Sequence, residues 1–233
     1  MGARHALDPD HLVAVAVMLS QSRHPLVACS VGLYWGLGHT LTIFLVGFPL
    51  LLLKIKLPPL VEAGFEGLVG IVLVALGLST LIKWRGTILH FHPHRHGDQE
   101  HEHLHLHRPE ERITYEEASE GGAQHWSRPH IHCHWATGWR PFLVGMVHGL
   151  AGSGAVAVLI LTTFQTLGSA FYFLILFGVG SLMGMGVTAL LIALPLTLAA
   201  RQAKVLEHAF AVLTGLLSVG LGFYIFGQAI HIL

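Results

Sequence analysis

The sequence predicts an all-α polytopic membrane protein, in which six transmembrane helices form two inverted three-helix repeats separated by a long His-rich loop. Three observations support this fold class. The 233 residues are 53% hydrophobic and only 11% charged, whereas a soluble domain carries about 25% charged residues. The stretch from Lys83 to Arg140 holds twelve of the nineteen His and eight of the thirteen acidic residues. The two halves outside it are almost uncharged and resemble each other.

The chain therefore divides into three parts. Residues 1–84 form the first three-helix repeat, 85–140 a His-rich loop expected to be a disordered coil, and 141–233 the second repeat. Apolar stretches near the ~20 residues that cross a bilayer mark the spans. The predicted spans cover residues 3–20, 27–53, 60–82, 141–164, 168–200 and 205–231.

The two halves match at a nearly constant offset. Residues 61–78 align with 206–223, an offset of 145, and residues 35–39 align with 177–181, an offset of 142. His5-Ala6-Leu7 aligns with His148-Gly149-Leu150, an offset of 143. Because three spans is an odd number, the two copies should cross the membrane in opposite directions. Inverted repeats with a site near the membrane midplane are typical of transporters.

The distribution of Lys and Arg predicts the orientation. Ten of them lie on the side of the His-rich loop, and three, Arg4, Lys54 and Lys56, lie on the other side. By the positive-inside rule, the loop is cytoplasmic and both termini are outside. We therefore expect an integral, multi-pass protein of the plasma (inner) membrane.

Composition argues against several other classes of function. The net charge is zero, and the basic residues are better explained as topology signals than as a nucleic-acid surface. The two cysteines, Cys29 and Cys133, are not expected to pair and form no Cys-x-x-Cys motif, which argues against a thiol-disulfide electron conduit. We find no ATP-binding motif, catalytic triad or cofactor motif, so the chain is not expected to be an enzyme.

A first group of polar residues lies at the start of the first span: His5, Asp8, Asp10 and His11. Charged side chains inside a bilayer cost roughly 2.5–3.5 kcal/mol each at mid-helix, and they usually have a function. Asp8 as N-cap with Pro9 at the first helical position predicts a helix start there, with residues 5–7 on a separate turn. A continuous helix would instead place His5, Asp8 and His11 on one face. A third interpretation is that these residues form a polar N-terminal cap at the water interface and do not bind a metal.

Two further histidines lie inside apolar spans, His39 in the second and His148 in the fourth. A single His in an apolar helix is more often a hydrogen-bonded packing residue than a ligand. Two at repeat-related depths, beside a His/Asp group, favour a metal site. Imidazole and carboxylate without thiolate suit a divalent transition metal. The candidate metal ligands are His5, Asp8, Asp10, His11, His39 and His148.

Short motifs in both halves resemble a known family. His5, four residues and then Asp10-His11 resembles the signature of the nickel/cobalt permeases, and Leu37-Gly38-His39-Thr40 resembles their second motif. The stretch 148–153 is similar to the six-span branch known as urease accessory membrane proteins or nickel permeases. The resemblance implies that His5, Asp10, His11 and His39 recognise the metal.

The chain departs from the family pattern in two ways. Pro9 stands where the family has a small, helix-compatible residue, so the local backbone is expected to differ. The chain also begins only four residues before His5, where relatives carry more apolar sequence. This predicts a short first span and a natural start further upstream.

The loop alternates His with other residues at 90–96, 101–107 and 130–134. Such tracts chelate Ni, Co, Zn or Cu with little selectivity. Alternation is compatible with extended strands, but the interleaved Glu and Pro favour a coil. The loop would buffer, deliver or sense metal, or else serve as a solvated linker.

Two functions fit these features. The leading hypothesis is a secondary permease that moves Ni²⁺ and/or Co²⁺ across the lipid bilayer through the His/Asp site, with the ion as cargo and no cofactor. The alternative is a membrane-anchored nickel-binding accessory protein or metallochaperone for a metalloenzyme such as urease. Both suggest a cytoplasmic metallochaperone or metalloenzyme accessory protein as partner. An anion exporter is disfavoured because Asp8 and Asp10 would repel its substrate.

Overall fold

The computed structural model describes residues 1–20, 25–85, 88–96, 99–107, 135–202 and 204–232. Apart from one two-stranded ribbon, the elements in these ranges are helical. In chain order they are α1 (Gly2–His5), α2 (Pro9–Leu19), α3 (Pro25–Thr42), a π-helical turn (Ile43–Gly47), α4 (Phe48–Leu53), α5 (Pro59–Arg85), β1 (Ile88–His96), β2 (Gln99–His107), α6 (Trp135–Thr163), α7 (Leu167–Gln202) and α8 (Lys204–Ile232).

Five helical segments of the described chain are long and apolar enough to cross a membrane: Pro25–Leu53, Pro59–Lys83, Gly138–Thr163, Leu167–Pro195 and Val205–Ile232. They agree with five of the predicted spans to within a few residues, which confirms that the chain is largely helical, with five helices apolar enough to span a membrane. The first predicted span differs. Helix α2 has 11 residues, and at 1.5 Å per residue it is only about 16 Å long. It falls short because the helix is broken before it.

The break lies between α1 and α2. Asp8 takes an extended backbone conformation, with φ −62° and ψ 145°, and Pro9 occupies the start of α2. Proline is favourable there, since its fixed φ suits a helix and its missing N–H would have no helical partner. This confirms the predicted helix start and the separate turn before it. The Asp8 side chain does not cap α2 but contacts His5, as described below.

Helices α5 and α8 pack closely through glycines. A Cβ atom added at Gly70 would lie 2.7 Å from the Gly222 carbonyl oxygen, and one at Gly77 would lie 2.6 Å from that of Gly215. The Ser218 hydroxyl donates to the Leu73 carbonyl between these two contacts, at 2.7 Å. Small residues that let helix backbones approach are the usual packing device in lipid.

Helices α3, α6 and α7 form a second group, and the short α1 packs against α7. Glycines again mark the contacts: a Cβ at Gly149 would lie 2.5 Å from the His39 carbonyl oxygen. Helix α2 lies between the two groups and contacts α5 and α8 on one side and α3 and α7 on the other. A buried cluster that includes Val15, Leu19, Trp35 and Leu73 joins them.

The ribbon lies within the His-rich loop. Strands β1 and β2 pair antiparallel, and the register sets His90 opposite His105, His92 opposite His103 and His94 opposite His101. We expected a coil in this tract, and residues 88–96 and 99–107 instead form the extended strands that the alternating spacing also allows. The remaining loop histidines and Cys133, like His24, lie outside the described residues.

Candidate metal centre

The break before α2 positions His5. It is the last residue of α1, and its Nδ1 lies 2.8 Å from the Asp8 carboxylate across the turn. Because a carboxylate only accepts, Nδ1 carries the proton and donates it. The Nε2 atom then keeps its lone pair, which accepts a hydrogen bond from the Nε2–H of His39 at 3.2 Å.

His11 lies on the first turn of α2 and is only 3% exposed. Its Nδ1 lies 3.0 Å from the carboxylate of the neighbouring Asp10. Its Nε2 is buried without a hydrogen-bond partner. His5 and His11 therefore share one arrangement: a carboxylate holds Nδ1–H, which fixes the tautomer and presents Nε2 as a ligand. Metal-binding histidines are usually oriented by such a partner.

His39 and His148 lie on the facing helices α3 and α6, and both are almost fully buried. The His148 Nδ1–H donates to the Val144 carbonyl at 3.0 Å, one turn earlier on α6. Its Nε2 has no partner, and neither has Nδ1 of His39. An unpaired polar atom in a buried position costs about 1–3 kcal/mol. Among the described residues, several of these unpaired atoms are imidazole nitrogens of one cluster. This is expected where a bound ion supplies the missing partner.

Three imidazoles converge. Ligand nitrogens of His5, His11 and His39 all lie within 4.8 Å of one another. A metal–nitrogen bond of 2.0–2.1 Å allows two ligands of one ion to lie at most about 4.2 Å apart. A closure of about 1 Å or less would therefore bring all three onto one ion. His148 is the next neighbour, with its ring centroid 5.5 Å from that of His11.

Two aromatic side chains flank the imidazoles. The Trp35 ring is fully buried and packs on His11, at 5.1 Å, and on His148, at 5.7 Å. Phe177 packs on His5 at 5.4 Å. These rings hold the imidazoles in place and exclude water from their far side.

A cavity of about 350 Å³ adjoins the cluster. His5, Asp8, Asp10, His11 and His148 line one wall, and α5 and α8 supply the other through Glu66, Val69, Tyr224, Ile225 and Gln228. Exposure rises towards this cavity: the Asp8 side chain is 48% exposed and Asp10 27%, whereas His11 is 3% exposed. Solvent therefore reaches the imidazoles from the carboxylate side.

All six residues predicted as ligands lie in this region. The structure groups the nitrogens of His5, His11 and His39, with His148 adjacent. It places the carboxylates of Asp8 and Asp10 against imidazole Nδ1 atoms, so each contacts the cluster through a histidine. Their assignment as metal ligands remains a prediction. Neither Trp35 nor the wall from α5 and α8 was anticipated. Glu66 carried a signal, since it is an acidic residue inside an apolar span.

Comparison with known proteins gave one clear relative. The chain is 31% identical over 224 residues to the urease accessory protein UreH of Bacillus sp. (strain TB-90), an alignment that covers 96% of this chain and 86% of that protein. The chain matches no family model. No solved structure matches it significantly.

Proposed function

The chain belongs to the family of the urease accessory protein UreH, which indicates a non-catalytic protein, and we propose that it carries Ni²⁺ or Co²⁺ across the membrane. The ion would pass through the histidine cluster. The observation that supports this proposal most strongly is the convergence of His5, His11 and His39 nitrogens within 4.8 Å, at the break between α1 and the apolar helix α2. Helices broken within the membrane are a common way to build ion sites in transporters. The relative's description as a urease accessory protein supports nickel as the transported ion, because the resemblance implies nickel as the metal of urease.

The donor set suits this cargo. Neutral imidazoles bind late first-row divalent ions, Ni²⁺ and Co²⁺ among them. Asp8 and Asp10 add two negative charges next to the cluster, which offset the charge of a dication removed from water. We propose that they raise the basicity of His5 and His11 and hold each ring, and that His148 contributes as the ion moves on.

We further propose that the chain has six spans built as inverted repeats. Contacts that recur under the repeat offsets support this. Gly70 contacts Gly222. Adding 145 to the first number and subtracting 145 from the second gives Gly215 and Gly77, which also contact each other. Helices α5 and α8 would then cross on the pseudo-two-fold axis, with the Leu73–Ser218 hydrogen bond next to it.

The same relation extends to the metal cluster. A Cβ at Gly2 would run into the Phe177 carbonyl, and one at Gly145 into that of Trp35. Phe177 packs on His5, and its counterpart Trp35 packs on His148, the counterpart of His5. Each repeat thus brings one aromatic ring and one histidine to the centre, as expected for a site at the interface of inverted repeats.

The cavity lies at the end of the molecule away from the His-rich loop. Glu66 is seven residues after the start of α5 and nineteen before its end at Arg85, about 10 Å and 28 Å along the helix. In this conformation the cargo reaches the histidines from the side opposite the loop. We propose that the loop, with its rows of His, binds metal on the other side.

Metal flux in proteoliposomes tests the proposal. We expect His39→Ala to abolish most Ni²⁺ uptake, because it removes one of the three converging nitrogens. His231→Ala is the matched control, since this histidine lies at the exposed end of α8, and it should transport like wild type. Ni²⁺, Co²⁺, Zn²⁺ and Mn²⁺ should be compared in each.

The metallochaperone alternative predicts the reverse result. A protein that only binds nickel at its loop would show no flux, would tolerate His39→Ala and would lose nickel delivery when residues 98–133 are deleted. The paired His positions of the ribbon favour a metal-binding role for the loop, and the alternative therefore merits this direct comparison.

A further inference from the structure

The cavity beside the histidines has a second wall of a different chemical character. Glu66 on α5 and Tyr224 and Gln228 on α8 line it, opposite His11 and His148. This wall offers carboxylate, phenol and amide groups, whereas the histidine wall offers nitrogens. Within the described part of the chain, the Glu66 carboxylate has no ion pair or hydrogen bond.

Glu66 is an exposed acidic residue in a long apolar helix. It lies about 10 Å into α5, one of the spans. Carboxylates in spans are rare, and they nearly always face a partner or a water-filled cavity that carries substrate. Lacking a partner among the described residues, Glu66 faces such a cavity.

A second observation concerns the histidine wall of this cavity. The Nε2 atoms of His11 and His148 are buried without partners, and both residues line it. The two side chains are 3% and 1% exposed. Buried nitrogens without partners, on residues that share a cavity with carboxylates, suit a positively charged ligand that accepts nitrogen donors.

The dimensions fit a hydrated ion. Six water molecules at about 30 Å³ each occupy about 180 Å³, and the cavity measures about 350 Å³. Oxygen groups at its mouth can accept hydrogen bonds from water bound to a metal without replacing that water. Nitrogen ligands deeper in would replace the water.

We propose that Glu66, with Gln228 and Tyr224, forms an outer cation site that holds the hydrated dication before it is dehydrated onto the histidines. The inference rests on the proposed function, because it assigns the first stage of the same path. Glu66 supplies the negative charge, Gln228 and Tyr224 contact the water shell, and the cation then moves across the cavity to His11 and His148.

The test compares Glu66→Gln with Glu62→Gln. Glu62 lies one turn earlier on the same helix, against Gly154, and does not line the cavity, so it controls for loss of one carboxylate from α5. In proteoliposomes, we expect Glu66→Gln to raise the half-saturating Ni²⁺ concentration by about tenfold, as expected for lost electrostatic attraction, with the maximal rate near that of wild type. Glu62→Gln should match wild type. Equal half-saturation in the two variants overturns the outer site.

A second measurement separates this inference from transport itself. Mn²⁺ prefers oxygen ligands, so its binding to the full-length protein in detergent, followed by electron paramagnetic resonance, reports the outer site. Glu66→Gln should bind one Mn²⁺ fewer than Glu62→Gln. If wild type moves no Ni²⁺ but this difference persists, the proposed function fails and the outer site stands. If both variants bind Mn²⁺ equally, the outer site fails whatever the flux.

Discussion

At the scale of single residues, the main finding is how Asp8 and Asp10 are used. Each carboxylate contacts an imidazole Nδ1, at 2.8 Å for His5 and 3.0 Å for His11. Sequence spacing brings the four residues together but does not specify which atoms meet. That depends on the extended backbone of Asp8, which turns its side chain back towards His5. The structure therefore suggests positioning residues where the sequence suggested direct ligands.

Substitutions at Asp10 test this role. Asp10→Ala removes both the charge and the acceptor for the His11 Nδ1–H, and should lower the efficiency of Ni²⁺ transport about 10- to 100-fold, the usual effect of losing such a partner. Asp10→Asn keeps an oxygen that accepts the hydrogen bond and should be less damaging. Initial rates across a Ni²⁺ concentration series give the comparison. Equal damage in both would assign the effect to charge and not to the hydrogen bond.

At the scale of elements, sequence patterns predicted most of the helices. Hydropathy located five spans, and Asp8-Pro9 located the break, because both depend on local chemistry. Glu66 was visible in the sequence as an acidic residue inside an apolar span, but its position with Gln228 opposite the histidines was not predictable, since it depends on how α5 and α8 meet. Those helices are separated by more than a hundred residues. Their contact depends on which glycines pack against each other, and composition alone does not predict that pairing.

Glycine substitutions on α5 test that packing. At Gly70 an added methyl group would lie 2.7 Å from the Gly222 carbonyl oxygen, whereas at Gly64 it would have open space. Gly70→Ala should destabilise the protein by about 1–3 kcal/mol through overpacking. Gly64→Ala should be neutral or stabilising by up to about 1 kcal/mol, because alanine favours a helix. Thermal unfolding in detergent measures both, and a similar loss in the two variants would contradict the close contact.

At the scale of the whole molecule, the cavity and the His-rich loop lie at opposite ends of α5. The predicted positive-inside orientation would put the loop in the cytoplasm and the cavity outside. The helices are confirmed, five of them long and apolar enough to cross a membrane, whereas the sidedness and the inverted repeats remain predictions. The sequence showed the relation between the repeats only as a nearly constant offset between matching segments. The contacts that relate the two halves form between helices, and sequence alone does not show which helices meet.

Labelling of single cysteines tests the sidedness. In a background with Cys29→Ser, the native Cys133 lies in the loop and Gln228→Cys would lie at the cavity mouth. A membrane-impermeant maleimide added outside right-side-out vesicles should label position 228 and leave Cys133 unlabelled. Cys133→Ser in the Gln228→Cys variant keeps the two signals separate. Labelling of both positions from one side would rule out the arrangement.

The position of α2 between two helix groups has a mechanical consequence. His5 belongs to α1, which is attached to α7, and His39 belongs to α3 in the same group, whereas His11 is on α2, which also packs against α5 and α8. The tight α5–α8 seam resists sliding, so a hinge motion is most easily accommodated at the broken turn from Ala6 to Asp8. Tilting one group on the other would pull His11 away from the other two rings. In the proposed transport cycle, this separation would lower the affinity for the ion at the moment when the two groups move.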